Sequence, residues 1–153
     1  MDKYDQKLLK VLQQDARASL EQLSYEVGIS VPTVQRRVRN LRNSGVITGE
    51  VALVDPVKVG QHMTFVIMVE LDRERLDHID AFSRRMQKHD QVQQCYYITG
   101  EADFCLICTA RDISDFEELT KSLFFKDSNV KRFRTSVVMS RKKVSSAVAL
   151  THD

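Results

Sequence analysis

The run Ser19-Leu-Glu-Gln-Leu-Ser-Tyr-Glu-Val-Gly28-Ile-Ser30-Val-Pro-Thr-Val-Gln-Arg36-Arg37-Val-Arg39-Asn40-Leu41 holds two helices joined by a three-residue connection. Ser19 is an N-cap with Gln22 as its capping-box partner, and Gly28 is a natural C-terminal stop. Leu20, Leu23 and Val27 recur at i, i+3 and i+7. Ser30 caps the next helix, tolerates Pro32 in its first turn, and starts a run that reaches about Asn43 before Ser44-Gly45. At roughly 100° per residue, Val31, Val34, Val38 and Leu41 share an inward stripe. Thr33, Arg36, Arg37 and Asn40 fall together in another arc of roughly 100°, and Gln35, Arg39 and Arg42 fill the remaining side.

The flanking residues complete a DNA-binding unit. Upstream, Asp5 is expected to cap a helix carrying Leu8, Leu9 and Leu12. Downstream, Val46–Val54 reads as two short strands around a turn at Thr48-Gly49. Asp55-Pro56 breaks the pattern, and Val57–Gln61 reads as a linker. A solvated basic face on a three-helix core is the plain alternative. The preceding helix, the short connection and the following hairpin favour a winged helix-turn-helix instead. Major-groove reading needs short donors in the first turn and arginines that reach phosphates or guanine edges. Ser30, Pro32, Thr33, Gln35, Arg36, Arg37, Arg39 and Asn40 are the candidate contacts to double-stranded DNA.

The second half alternates strand and helix. Strands are expected at Met63–Leu71, Val92–Thr99, Phe104–Ala110 and about Val130–Met139. A helix from Arg73 to His89 carries Leu76, Ile79, Phe82 and Met86 on one stripe, and another carries Phe116, Leu119 and Leu123 behind Asp112 or Ser114. The order β-α-β-β-α-β is the ferredoxin-like split unit. The fold class is α+β, with domains at 1–60 and 61–153. Both faces of the sheet read as apolar: Phe65, Ile67 and Val69 alternate with Val66 and Met68, and Phe104, Leu106 and Cys108 with Cys105 and Ile107. Helices cover one face, so a second copy of the sheet is the simplest cover for the other. Phe125, off the helical stripe, is a second hint of a homo-oligomer.

Composition bounds the rest. The chain has 153 residues, 42% hydrophobic and 29% charged, which excludes a wholly disordered chain. No apolar run approaches the roughly 18 residues of a membrane helix, no signal peptide is legible, and three cysteines do not make a disulfide framework, so a cytoplasmic protein is expected. Net charge is only +2, yet Val31–Gly49 holds four arginines and no acid, while residues 61–153 balance 14 basic against 14 acidic side chains. Such a local basic stretch suits an anionic partner.

Leu20–Leu41, followed by Gly45-Val-Ile, resembles the DNA-binding unit of the Lrp/AsnC (feast/famine) regulators. The resemblance continues through Ile98-Thr-Gly-Glu-Ala-Asp-Phe104 and Arg134-Thr-Ser-Val-Val-Met139 and covers nearly the whole chain. It implies a transcription regulator with dimers, often octamers, that binds amino acids between dimers. In such proteins a Gly-Asp-aromatic-Asp turn contributes to the effector site. Here the turn reads Gly100-Glu101-Ala102-Asp103, with one acid longer and no aromatic. A plain hairpin would also favour Gly and Asp. Gly100, Glu101, Ala102, Asp103, Thr135 and Ser136 are the candidate ligand residues: Asp103, with Glu101, for an ammonium, and Gly100 backbone N–H groups with the two hydroxyls for a carboxylate.

Other chemistry is not supported. Cys105 and Cys108 stand in a C-x-x-C pattern, but on a strand they face opposite ways, and His62, His78, His89 and His152 show no metal spacing. Neither a metal nor a cofactor is expected. No phosphate loop, dinucleotide fingerprint or nucleophile elbow occurs, and the third strand lacks the RNA-recognition pattern that Tyr96 and Tyr97 suggest. Two alternatives are a siroheme-decarboxylase-like enzyme, similar in fold, and a ligand-binding subunit without direct DNA contact. The basic, capped helix argues against the first, and a gel shift would settle the second.

Overall fold

The first two helices of the chain start where short polar side chains receive their free N–H groups. A computed structural model describes residues 1–72, 75–125, 127 and 129–150. Helix α1 (Lys3–Leu12) is capped by Asp2, which accepts from the N–H groups of Tyr4 and Asp5 at 2.9 and 3.0 Å. The cap therefore lies earlier than the expected Asp5, which sits instead in the first turn with its carboxylate turned to another helix. Ser19 caps α2 (Leu20–Val27), accepting from the Gln22 N–H at 3.1 Å, and Gly28 ends it in the left-handed region at φ 77°. The Gln22 amide N–H donates to Glu26, and its oxygen accepts nothing from the Ser19 N–H, so only half of the capping box forms. Helix α3 (Val31–Asn43) has Ser30 at its cap position, but the Ser30 hydroxyl pairs with that of Thr33 at 2.9 Å instead of with a backbone N–H. Leu8, Leu23, Val27, Val34 and Val38 close the core between the three helices.

The hairpin expected at Val46–Val54 carries no strand ladder. Val51 and Leu53 are 82% and 87% exposed. A two-stranded ribbon with no apolar surface to pack on is marginal.

The second half forms β1 (Met63–Leu71), α4 (Leu76–Gln87), β2 (Val92–Tyr97), β3 (Phe104–Ala110), α5 (Ile113–Thr120) and β4 (Val130–Val137). The strands pair antiparallel in the order β2-β3-β1-β4, the ferredoxin-like arrangement. The Arg73 start expected for α4, like His152, lies outside the described residues. Strands β2 and β4 each end two residues short of the expected Thr99 and Met139. Phe65, Ile67, Val69, Phe104, Leu106 and Cys108 point to one face, where Phe82 and Met86 of α4 and Leu119 of α5 complete the core. Burial pushes the Cys108 thiol up to about 12, as suits a core cysteine. Leu76, expected on the inward stripe of α4, is instead 80% exposed at its first residue.

The other face carries Val66 opposite Ile107 and Met68 opposite Cys105, all only half-buried. The chain divides into two compact units, Met1–Leu53 with the chain from Lys143, and Val54–Lys142. The expected linker is a single 3-10 turn, Val57–Val59, within the second unit. The end expected to be loose from Ser145 is held at one residue: Val148 exchanges two hydrogen bonds with the Gln13 amide, at 2.7 and 3.2 Å. Among the described residues, no helix is long and apolar enough to cross a membrane.

Candidate functional site

Helix α3 sorts its arginines by angle. Val34, Val38 and Leu41 are buried, so the solvent arc lies opposite them and carries Pro32, Arg36, Arg39 and Asn40, all exposed. Ser30 and Gln35 are exposed beside that arc, and Thr33 is half-buried. Among the described residues, Arg36 and Arg39 meet no carboxylate within ion-pair distance. Arg37 is different. It lies at the border of the inward stripe, and its guanidinium donates to Asp5 and reaches Asp2, both at 2.8 Å, while lying 5.5 Å from the centre of the Tyr4 ring. The Asp5 carboxylate, followed by that of Asp2, raises the Arg37 pKa above its ordinary value. The Asp5 backbone N–H, helped by Arg37, in turn holds the Asp2 carboxyl below the usual carboxylate range. Arg37 thus ties α1 to α3. Arg42 is committed too, to Glu50 at 2.6 Å. The free cationic surface of α3 is therefore Arg36 and Arg39, flanked by the polar groups of Ser30, Thr33, Gln35 and Asn40.

A second site forms where the end of β1, the β2–β3 turn and the start of β4 meet. The register sets Glu70 opposite Arg132 and Met68 opposite Arg134, while Val69 lies opposite Phe104 just after the turn. An open cleft of about 680 Å³ results, lined by Glu70, Leu71, Asp72, Lys131, Arg132, Arg134 and the turn Gly100–Asp103. Gly100 takes φ 125°, a conformation that favours glycine. Asp103 is nearly buried and stapled: its carboxylate accepts from the Leu71 N–H at 2.7 Å, its N–H donates to the Val69 C=O, and its C=O accepts from the Ile98 N–H. Glu70 bridges Lys131 at 2.9 Å and Arg132 at 2.6 Å, and these cations, Lys131 first, hold its carboxyl below the ordinary range. Arg134 is held more loosely, 3.6 Å from the exposed Glu101 carboxylate.

Of the residues expected at a ligand site, the structure brings Gly100, Glu101, Ala102 and Asp103 together. It does not bring Thr135 and Ser136 with them. Thr135 lies opposite core-facing Ile67 and Ser136 opposite Val66, so their side chains leave opposite faces of β4 and neither lines the cleft. The charged side chains of the cleft that sequence reasoning missed are Lys131, Arg132 and Arg134, with Glu70 and Asp72 across from them. The i, i+2 spacing of Arg132 and Arg134 is the available signal, since it places both on one strand face. Among the described residues, no three His, Cys, Asp or Glu side chains are grouped to hold a metal.

Known proteins match both halves. Residues 1–42 match the AsnC-type helix-turn-helix domain and residues 64–148 the Lrp/AsnC ligand binding domain. An HTH-type transcriptional regulator of Sinorhizobium fredii is 41% identical over 98% of this chain and 89% of its own length. The leucine-responsive regulatory protein of Escherichia coli is 30% identical over 98% of this chain and 92% of its own. A transcriptional regulator of Neisseria meningitidis, solved as a complex with L-Met, superposes with a TM-score of 0.92 at 28% identity, covering 99% of this chain and 98% of that one.

Proposed function

Because the chain belongs to the Lrp/AsnC family of transcriptional regulators, we propose that it docks the outer face of α3 in a major groove and that an amino acid bound in the Gly100–Asp103 cleft modulates this docking. The observation that carries the DNA reading is the pair of cations, Arg36 and Arg39, without acidic partners among the described residues and opposite a buried stripe on α3. Ser30, Thr33, Gln35 and Asn40 supply hydrogen-bonding groups beside them. Arg37, tied to α1, serves the helical core rather than the DNA. In the cleft, the effector carboxylate goes to Arg134 with N–H groups around Gly100, and the ammonium goes to Glu101, since Asp103 already serves the Leu71 N–H. A zwitterion leaving water for this cleft needs both charges met. Regulation, rather than the decarboxylase alternative, is the function of this family, and the cytoplasm, where the DNA lies, is its place of action.

The half-buried sheet face of Val66, Met68, Cys105 and Ile107 supports a two-fold dimer, sheet against sheet, from which higher assemblies such as an octamer follow. Two α3 helices related by that axis would read half-sites about one DNA turn, or multiples of it, apart. The test is to recover the fragments of its own genome that the full-length protein retains, then titrate them by fluorescence anisotropy with and without each L-amino acid. Retention of two-fold sites, with affinity shifted by an amino acid, supports the reading. Retention independent of sequence and of every amino acid would overturn it.

A further inference from the structure

The cleft is built almost wholly from charge. Its apolar lining residues, Leu71 and Ala102, are each only 5% exposed, so an aliphatic or thioether side chain entering it finds little apolar surface to cover. Its charges are not equal in number. Among the described residues, four acids (Glu70, Asp72, Glu101, Asp103) face three cations (Lys131, Arg132, Arg134).

Their commitments differ as well. Glu70 neutralises Lys131 and Arg132 with contacts of 2.9 and 2.6 Å, and Asp103 is spent on the Leu71 N–H. Among the described residues, Arg134 is then the available cation, held by a 3.6 Å approach to Glu101 and a 3.4 Å hydrogen bond to its carbonyl oxygen. Glu101 is 89% exposed, and Asp72 lies beyond ion-pair distance of every described cation, although its charge reaches Lys131. One available cation beside two available carboxylates is the complement of a ligand with one carboxylate and two cationic groups. An acidic amino acid would need a second free cation and would bring its side chain against Glu70 and Asp72. A like-charge pair of that kind is unfavourable in a site partly shielded from water.

We propose that the effector is a basic α-amino acid of the lysine, ornithine or arginine type, an inference that rests on the reading of this cleft as the effector site. Its carboxylate pairs with Arg134, and its α-ammonium and side-chain cation pair with Glu101 and Asp72. Specificity for a charged side chain over an apolar one follows from the wall, because carboxylates left without a cation gain nothing from an aliphatic chain.

The experiment is calorimetry on the full-length protein with the twenty L-amino acids, ornithine and L-norleucine, which matches lysine in chain length but lacks its terminal ammonium. Lysine, ornithine or arginine is expected to bind at least about tenfold more tightly than norleucine, methionine or glutamate. Asp72→Asn should narrow that preference, whereas Glu101→Gln, facing the α-ammonium, and Arg134→Ala, facing the carboxylate, should weaken every ligand. Thermal melts identify any variant that fails to fold, and the comparison with norleucine on the parent protein does not depend on the variants. Norleucine, methionine or glutamate binding as tightly as lysine overturns the proposal while leaving the cleft as the effector site, provided Arg134→Ala weakens that ligand. A lysine preference unchanged in a folded Asp72→Asn variant places the selection elsewhere and overturns it. Absence of binding by every ligand overturns both the proposal and the reading beneath it.

Discussion

The two units of this chain treat charge and apolar surface in opposite ways. The helical unit closes its small core and leaves two arginines of α3 without acidic partners among the described residues. The sheet unit gives each cation of its cleft an acidic neighbour and leaves apolar residues on one sheet face only half-covered. Unpartnered cations on a rigid helix suit a polyanion, whose phosphates release counterions on contact. Alternating acid and base suits a small ligand that carries both signs. A half-covered apolar face suits a second copy of itself. The contrast points to DNA for one unit, and to both ligand and self-association for the other.

Neighbouring residues on β1 offer the largest effect with which to break that contrast. Ile67 is fully buried beneath the helices, and Met68 points to the half-covered face. Ile67→Ala should destabilise the sheet unit by about 2–5 kcal/mol at any protein concentration. Met68→Asp should instead weaken self-association by roughly 100-fold, about 2.7 kcal/mol, because it would bury a carboxylate in the proposed dimer. Denaturant melts and sedimentation distinguish them. A Met68→Asp protein that still sediments as a dimer at low micromolar concentration would remove the sheet face from the interface.

Arg37→Ala comes next. It should cost the helical unit about 1–2 kcal/mol as the ion pairs with Asp2 and Asp5 and the packing on Tyr4 disappear. Chemical denaturation measures it. A variant as stable as the parent would free Arg37 for DNA.

The smallest effect is a matter of pH. Lys131 and Arg132 hold the Glu70 carboxyl below its ordinary value of about 4.3. The contribution of this bridge is therefore complete above that value and disappears as pH falls through the depressed one. Melting temperatures of the parent and Glu70→Gln should differ near neutrality and converge in acid. A gap that widens on acidification would contradict the pairing.

What can be read from the sequence follows the strength of the periodic signal. Strands β1 and β3 are legible to the residue, because alternating Phe65, Ile67 and Val69 and the run from Phe104 to Ala110 are bounded by clear breaks. The ends of α2 and α3 are legible from Ser19, Gly28 and Ser44-Gly45. Arg37 is not, because it shares an arc with Arg36 and Asn40, yet stands only about 40° from Leu41 on the helical wheel. Nothing local shows that Asp2 and Asp5 wait there. Adjacency suggests a shared role for Thr135 and Ser136, although adjacent strand residues face opposite ways. The Val46–Val54 hairpin has the right residues but no surface to fold against, which is a tertiary fact.

The central claim is that α3 meets DNA through Arg36 and Arg39 while Arg37 holds the helix in place. The direct measurement is the salt dependence of binding to a genomic fragment that the parent protein retains, made for Arg36→Ala, Arg39→Ala and Arg37→Ala. Arg36→Ala and Arg39→Ala should each reduce the log–log slope by about 0.9 for each phosphate the arginine neutralises, or, where one of them reads guanine, cost about 1–3 kcal/mol at that base. Arg37→Ala should leave the slope unchanged at temperatures where the protein stays folded. Equal slopes and affinities for the parent, Arg36→Ala and Arg39→Ala, or a slope that falls only in Arg37→Ala, would contradict the account.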